Sequence, residues 1–559
     1  MPPTYDPLPR TSSSFDVLRP NSPSNVFKDK PLPNRRCSLL RKARRCTSRI
    51  CRLRWIALLL VTCLLWQLAF NGSYLLSHAP PYTVHASERV FIAANIIDGD
   101  LITGAWGRSL LELVEKIGRE RVFVSIYGGP TAALRQLEST LECETRIVSE
   151  EEEPLDMSTI PRTLLPSGER KVKRIAYLAE VRNKVLEPLY KAGKGRQKWD
   201  KVLFLNDVFF DAEGATRLLW GTKVDKEGGS AYKAVCAADF VTSWKYYDTF
   251  ATRDVEGYSI GVPLFPWFSA EGEAVTRNDV LAGKDAVRVK SCWGGMVAFQ
   301  GEYFWARDED GANVENARSV SANLHPNAQI PGSLDSRSQS GKDVKALRAN
   351  NGIGIPQLPL RFRSEPEPFW DSSECCLIHA DIISLGGTPD SKTSDDKWDT
   401  GIYMNPYVRT SYSESTYRYL EFAKRWERLS SPLQRMLNYF ANMPRWNYRR
   451  TETEGEVMTD NLWISIHSNM SEMAAVYVAE HNFETEATPE AGLEERATLG
   501  KVRGKEYWEN HGYYVGYRRM AKRGGYCGVR QLLVMKEGKL EPGEGNWDNL
   551  LDRVPPFDM

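Results

Sequence analysis

Apolar residues fall into one long unbroken run and then into short clusters spaced along the rest of the chain. The run is Trp55–Phe70, WIALLLVTCLLWQLAF, and it continues through Tyr74-Leu75-Leu76 with small polar interruptions. That is close to the ~20 residues a helix needs to cross a bilayer, so the pattern predicts a membrane-spanning helix over 55–76. After residue 89 the rhythm changes. Val90–Ala94, Val122–Tyr127, Thr145–Val148, Val202–Leu205 and Ala234–Ala238 read as short buried strands. Helical spacing fills the gaps: a stretch to about Ile117, Leu134–Leu141, and Arg174–Tyr190 with Ile175, Leu178, Val181, Val185 and Leu189 on one face. Alternating strands and helices predict an α/β fold with a doubly wound, mostly parallel sheet. Ligands bind such sheets at the carboxyl ends of the strands, so the residues just after each strand matter most. Farther on the pattern is irregular from Gly257 to Asp371, with a polar loop at Asn313–Asp343. A strand is predicted at Cys375–His379 and a helix over Tyr417–Leu437, and residues 452–500 are acidic and weakly patterned.

These segments divide the chain into a disordered basic tail (1–54), the span (55–76), a stem (77–88), a globular domain (89–440) and a partly flexible C-terminal extension (441–559). Arg35, Arg36, Arg41, Lys42, Arg44, Arg45, Arg49, Arg52 and Arg54 precede the span and few basic residues follow it. That asymmetry keeps the N-terminus cytosolic and the remainder luminal. A cleaved signal peptide is the alternative, but its apolar core is shorter and starts nearer the N-terminus. The expectation is a single-pass type II anchor of the kind that holds enzymes in the Golgi membrane.

Charge and composition change the picture only slightly. The 559 residues carry a formal net charge of +1, which lacks the basic footprint of nucleic-acid binders. Ten cysteines are present. Six of them follow the span, enough for up to three disulfides in an oxidising compartment, and no spacing resembles a zinc site. At least one of Cys375 and Cys376 is expected to pair with a distant cysteine.

The strongest candidate chemistry follows the strand KVLFL, where the chain reads Asn206-Asp207-Val208. A carboxylate there stands where a metal–diphosphate would sit, because Mg²⁺ and Mn²⁺ take one or two carboxylates plus phosphate oxygens. Taken alone, the same residues more often serve as a turn or helix cap. The preceding helix carries Arg182-Asn183. An Arg-Asn helix followed by a strand ending in an Asp-x-Asp-like motif resembles the nucleotide-diphospho-sugar transferases of the GT-A type. Only one of the motif's central residues is acidic here, which leaves Asp211 and Asp239 as further candidates.

The resemblance then becomes specific. Ala238–Trp244, Tyr246–Asp254, Pro266-Trp267-Phe268, Ser291–Phe299, Phe362-Arg363-Ser364 and Glu374–Asp381 together resemble the fungal capsule-associated α-1,3-mannosyltransferase family, cryptococcal mannosyltransferases, over roughly residues 88–440. The family implies transfer of mannose from GDP-mannose to a mannose-containing glycan acceptor, with retention and with a divalent cation, usually Mn²⁺. On that pattern Asp207 and His379 are the expected metal ligands, with Asp381 in reserve. Arg182, Asn183, Asn206 and Arg363 are expected at the donor, Trp293, Gly294 and Gly295 at the acceptor, and Glu374 and Asp371 as the catalytic carboxylates. Trp244, Tyr246 and Tyr247 offer a sugar or base platform, or core packing. Two alternatives stay open: a non-catalytic luminal protein that keeps the same shell, and a transferase using another nucleotide sugar such as UDP-xylose.

Overall fold

The structure, a computed structural model, describes residues 54–67, 69–165, 169–190, 198–305, 354–386, 396–465, 512–537 and 545–551. The chain forms two units, 1–66 and 67–559. In the first, the described residues are helical and their large apolar side chains, from Trp55 to Trp66, are exposed. No helix among the described residues is long and apolar enough to cross a membrane.

The second unit is built on a nine-stranded sheet. Its principal strands are β1 (Val90–Asn95), β2 (Val122–Tyr127), β3 (Glu144–Val148), β4 (Lys201–Leu205), β5 (Ala234–Thr242), β6 (Val287–Arg288), β7 (Met296–Gln300) and β8 (Ile402–Ser411). The order across the sheet is β3-β2-β1-β4-β7-β5-β8-β6. β1, β2, β3 and β4 pair in parallel, as do β5 and β8. β7 runs antiparallel to both β4 and β5 and so joins two parallel blocks that point the same way. The fold is therefore mixed α/β with a large, mostly parallel sheet.

Both faces are buried, which is why the strands read as continuous apolar runs. Val90, Ile92 and Ala94 of β1 face α1 (Ala105–Ile117), α2 (Thr131–Glu138) and α4 (Ala212–Trp220). Phe91 and Ala93 face the other layer, with α3 (Arg174–Val185) and α5 (Glu374–Leu385). Two further helices, α6 (Glu414–Lys424) and α7 (Ser430–Phe440), follow β8.

Several expectations need correction. Cys375–His379 is helix, the first half of α5, and every residue from Glu374 to Ile382 is buried. An apolar stretch enclosed on all sides carries no period that separates helix from strand. The end of the expected span is not membrane-facing. Ser73, Tyr74 and Leu75 are buried, the Ser73 amide donates to the Lys424 carbonyl, and the Tyr74 hydroxyl donates to the Val280 carbonyl while its ring meets Tyr407 edge-on. The expected stem is likewise held: Tyr82 donates to Glu213 and His85 bonds the Gly228 carbonyl. The C-terminal extension is stitched into the same unit. Asp371 pairs with Val529, Lys173 bridges to Val534, and Cys376 is joined to Cys527. A second disulfide joins Cys236 of β5 to Cys292, while Cys375 is free and buried. The 1–34 tail, the 313–343 loop and most of 452–500 lie outside the described residues.

Candidate active site

β4 delivers Asn206 and Asp207 to the carboxyl edge of the sheet, and α3 brings Arg182 over them. Arg182 is almost fully buried. Its guanidinium lies 4.4 Å from the centre of the Trp293 ring, and its Nε donates to Glu374 Oε1 at 3.0 Å. Its Nη1 stands 3.5 Å from Asn206 Oδ1. The same oxygen accepts the Trp293 indole N–H at 3.1 Å, while Asn206 Nδ2 donates to the Tyr412 hydroxyl at 3.2 Å. The Asn206 backbone carbonyl takes the Trp106 indole N–H. Asn206 thus has its side chain occupied by protein, and it locks the arrangement of its neighbours.

The network extends away from Arg182. The Trp293 amide donates to Asp248 Oδ2 at 2.9 Å, and the Asp248 amide donates to Asp239 Oδ1 at 3.1 Å. A continuous polar chain therefore runs Glu374–Arg182–Asn206–Trp293–Asp248–Asp239. Asp239 is 1% exposed. Burial, and then the charge of Asp248, holds its carboxyl well above the usual carboxylate range. Asp207 is half-buried and has no ion pair among the described residues. Burial raises its pKa; Asp98 adds to the rise and Arg182 opposes it. Burial and the same acids, Asp239 before Asp207, push up the Tyr412 hydroxyl.

The other predicted residues separate. Arg182, Asn206, Asp207, Trp293 and Glu374 do come together. Glu374 is 3% exposed and engaged by Arg182, so it faces inward. Asp371 is buried against Lys173 Nζ at 2.8 Å and accepts the Leu533 amide. Asn183 clips the Phe362 backbone, donating to its carbonyl and accepting its amide, each at 2.9 Å. Arg363 is closed in by Asp381 and Glu365, and Asp381 is shared with Arg523. Neither Arg363 nor Asp381 is available to a ligand in this arrangement. Gly294 and Gly295 are buried at positive φ, and a Cβ on Gly294 would stand 1.9 Å from the Ala237 carbonyl oxygen. They allow the chain to enter β7 against β5 and do not form an open acceptor loop. Asp211 caps α4 and accepts the Tyr417 hydroxyl.

His379 is not brought to Asp207. Its ring packs on Phe299, which pairs with Val202, three strand residues or about 10 Å below the end of β4. Nδ1 bonds the Cys375 carbonyl, Nε2 is buried without a partner, and burial pushes the imidazole down to about 4. Among the described residues, no three His, Cys, Asp or Glu side chains converge as a metal cage. Of the aromatic platform, Tyr246 is core, stacked on Trp267, whereas Trp244 and Tyr247 are exposed.

Tyr412 and Asp248 were not anticipated. Tyr412 directly follows the buried strand β8, the same position relative to its strand as Asn206 to β4. Recognising β8 in the sequence would have singled it out.

The family model described as Cryptococcal mannosyltransferase 1 matches residues 89–381, more than half of the chain. The chain belongs to that family, and it is a hexosyltransferase. No curated protein matches it. Similar solved structures include glucosyl-3-phosphoglycerate synthase of Mycobacterium tuberculosis in complex with Mn²⁺, UDP and phosphoglyceric acid. It is 11% identical, covers 69% of this chain and 89% of its own, and has a TM-score of 0.27. A second is the mannosyltransferase PcManGT of Pyrobaculum calidifontis in complex with GDP-Man and Mn²⁺, 10% identical over 66% of this chain and 80% of its own, with a TM-score of 0.26.

Proposed function

We propose that this enzyme moves mannose from GDP-mannose to a mannose-containing glycan, forming an α-1,3 linkage with retention, at the carboxyl edge of the sheet around Asp207. The observation that carries the reading is Asp207 itself: a half-buried carboxylate with no ion pair among the described residues, directly after a central strand, in a chain of this family. A divalent cation fits that donor set. Mg²⁺ and Mn²⁺ need one or two carboxylates when a diphosphate brings the remaining oxygens, so a closed protein cage is not required. Asp207 would hold it. When bound, such an ion supplies charge that offsets the negative charge growing on the leaving diphosphate.

The chain's own residues do the rest. Asn206 fixes the strand end through Trp293, Arg182 and Tyr412, so Asp207 is presented in one orientation. Arg182 contributes a planar cation beside the leaving group, and Glu374 orients it. Trp244 and Tyr247 present aromatic faces for a sugar or base. Retention is reached by a carboxylate nucleophile or by attack on the face the diphosphate leaves. Glu374 is engaged by Arg182 and Asp371 by Lys173, and this supports the same-face route.

The same reading makes the chain a type II Golgi protein, anchored through the apolar segment ending at Phe70. The exposed apolar helical residues 55–66 and two disulfides, which persist in oxidising compartments, support it. The test of the donor site is thermal stability with GDP and Mn²⁺. Together they are expected to raise the melting temperature of the wild type and not of Asp207→Ala. Equal shifts in both proteins would remove Asp207 from the site.

A further inference from the structure

α6 and α7 carry a surface that neither the sheet nor the transferase reading uses. Tyr419, Phe422, Leu429, Leu433, Met436 and Phe440 are between 46% and 75% exposed. Tyr419 and Phe422 lie on α6, half-buried Trp426 and Leu429 in the turn that follows, and Leu433, Met436 and Phe440 on α7 at steps of three and four, the spacing of one helix face. Tyr439 is 83% exposed and Trp446, just beyond α7, is 64% exposed. Single exposed apolar side chains are ordinary, but an ordered row of large ones marks an interaction surface.

The charges nearby choose the partner. Between Arg425 and Trp446 stand four arginines, Arg425, Arg428, Arg435 and Arg445, and one carboxylate, Glu427. Glu427 is buried and ion-paired to Arg409. On α6 the exposed Glu414 and Glu421 are ion-paired, to Arg418 and Lys424. Apolar side chains flanked by Trp, Tyr and Arg, with the neighbouring acids paired, have the composition of a surface that settles into the headgroup region of an anionic bilayer. Chain continuity points the same way. The apolar run ends at Phe70, 74% exposed, and residues on either side of it are pinned to the end of α6. The Gln67 amide donates to the Arg425 carbonyl, and the Ser73 amide and hydroxyl both meet the Lys424 carbonyl.

We infer that the α6–α7 face is a membrane-seating surface, resting its apolar stripe in the interface of an anionic phospholipid bilayer beside the point where the apolar run enters the domain. The contact is separate from the run itself, and it does not depend on which sugar is transferred.

The test uses the full-length protein in vesicles of phosphatidylcholine and phosphatidylserine containing a photoactivatable phospholipid, with adducts located by mass spectrometry. Adducts are expected on residues 414–446 and not on Gln136 of α2. α2 lies at the opposite edge of the sheet, six strand spacings or about 29 Å across. The double substitution Met436→Asp with Phe440→Asp should cut adducts on 414–446 by about fivefold or more, and omitting phosphatidylserine should also lower them. Both positions are exposed, so the melting temperature and transfer to a soluble acceptor should remain at wild-type levels. Lipid adducts absent from 414–446, or cross-links joining 414–446 of two copies, would overturn the inference, the latter in favour of a dimer face.

Discussion

Asp207 and Asp371 are both aspartates close to a basic residue at or near α3, yet they have different availability. Asp371 is sealed against Lys173, whose ammonium also donates to three backbone carbonyls, of Glu365, Glu367 and Trp370. Removing one partner of a buried pair strands the other, so Asp371→Ala should lower stability by about 3–5 kcal/mol in urea unfolding. Asp207→Ala should leave unfolding within about 0.5 kcal/mol of wild type, since no ion pair among the described residues is lost. His379 supplies a pH dependence of known sign. Its folded pKa of about 4 lies below the ordinary 6.5 because burial disfavours the charged ring. As pH falls through 6.5 the unfolded chain gains a proton that the folded one refuses. Stability is therefore complete above that pH and is lost progressively down to about 4, by about 3 kcal/mol. His379→Phe should flatten this part of the stability–pH curve. At this scale the sequence singled out Arg182, Asn206, Asp207 and Trp293 in separate roles, and the fold brings them side by side. It could not distinguish a paired acid from a free one, because Lys173 and Leu533 lie far from Asp371 along the chain.

Among the elements, those with one buried stripe were legible and those buried all round were not. α1 and α2 expose one side, so their periods show. α5 is enclosed from Glu374 to Ile382 and read as a strand. β8 is buried at all ten residues, but its run is broken by Asn405-Pro406 and Arg409-Thr410, so it was missed. With it went Tyr412. The glycines after Trp293 were legible as a backbone requirement, though their purpose is packing. Gly294→Ala adds a Cβ at a φ of 60° against the Ala237 carbonyl. It should destabilise by at least about 3 kcal/mol or prevent folding, measured as loss of soluble, cooperatively melting protein. The Cys376–Cys527 link ties α5, and so Glu374, to the C-terminal extension across 151 residues. The Cys376→Ala, Cys527→Ala pair should cost about 2–5 kcal/mol in thermal unfolding.

At the level of the whole molecule, the chain divides near residue 250. Up to that point strands and helices largely alternate along the sequence, and the parallel block β1–β4 followed directly from the apolar pattern. Beyond it the contacts are long-range. β7 inserts antiparallel between β4 and β5, β8 pairs with β5, and residues past 512 close over α5 through Arg523, Cys527 and Val529. A pattern reader that expects each strand beside its neighbour in sequence has no signal for these. We propose that mannose is transferred at this assembled edge, with Asp207 at its centre. The most direct measurement is transfer from radiolabelled GDP-mannose to mannose disaccharides in the presence of Mn²⁺, comparing wild type with Asp207→Asn of matched melting temperature. Labelled trisaccharide is expected from the wild type, with a loss of at least about a hundredfold in the variant. Full transfer by Asp207→Asn would contradict it.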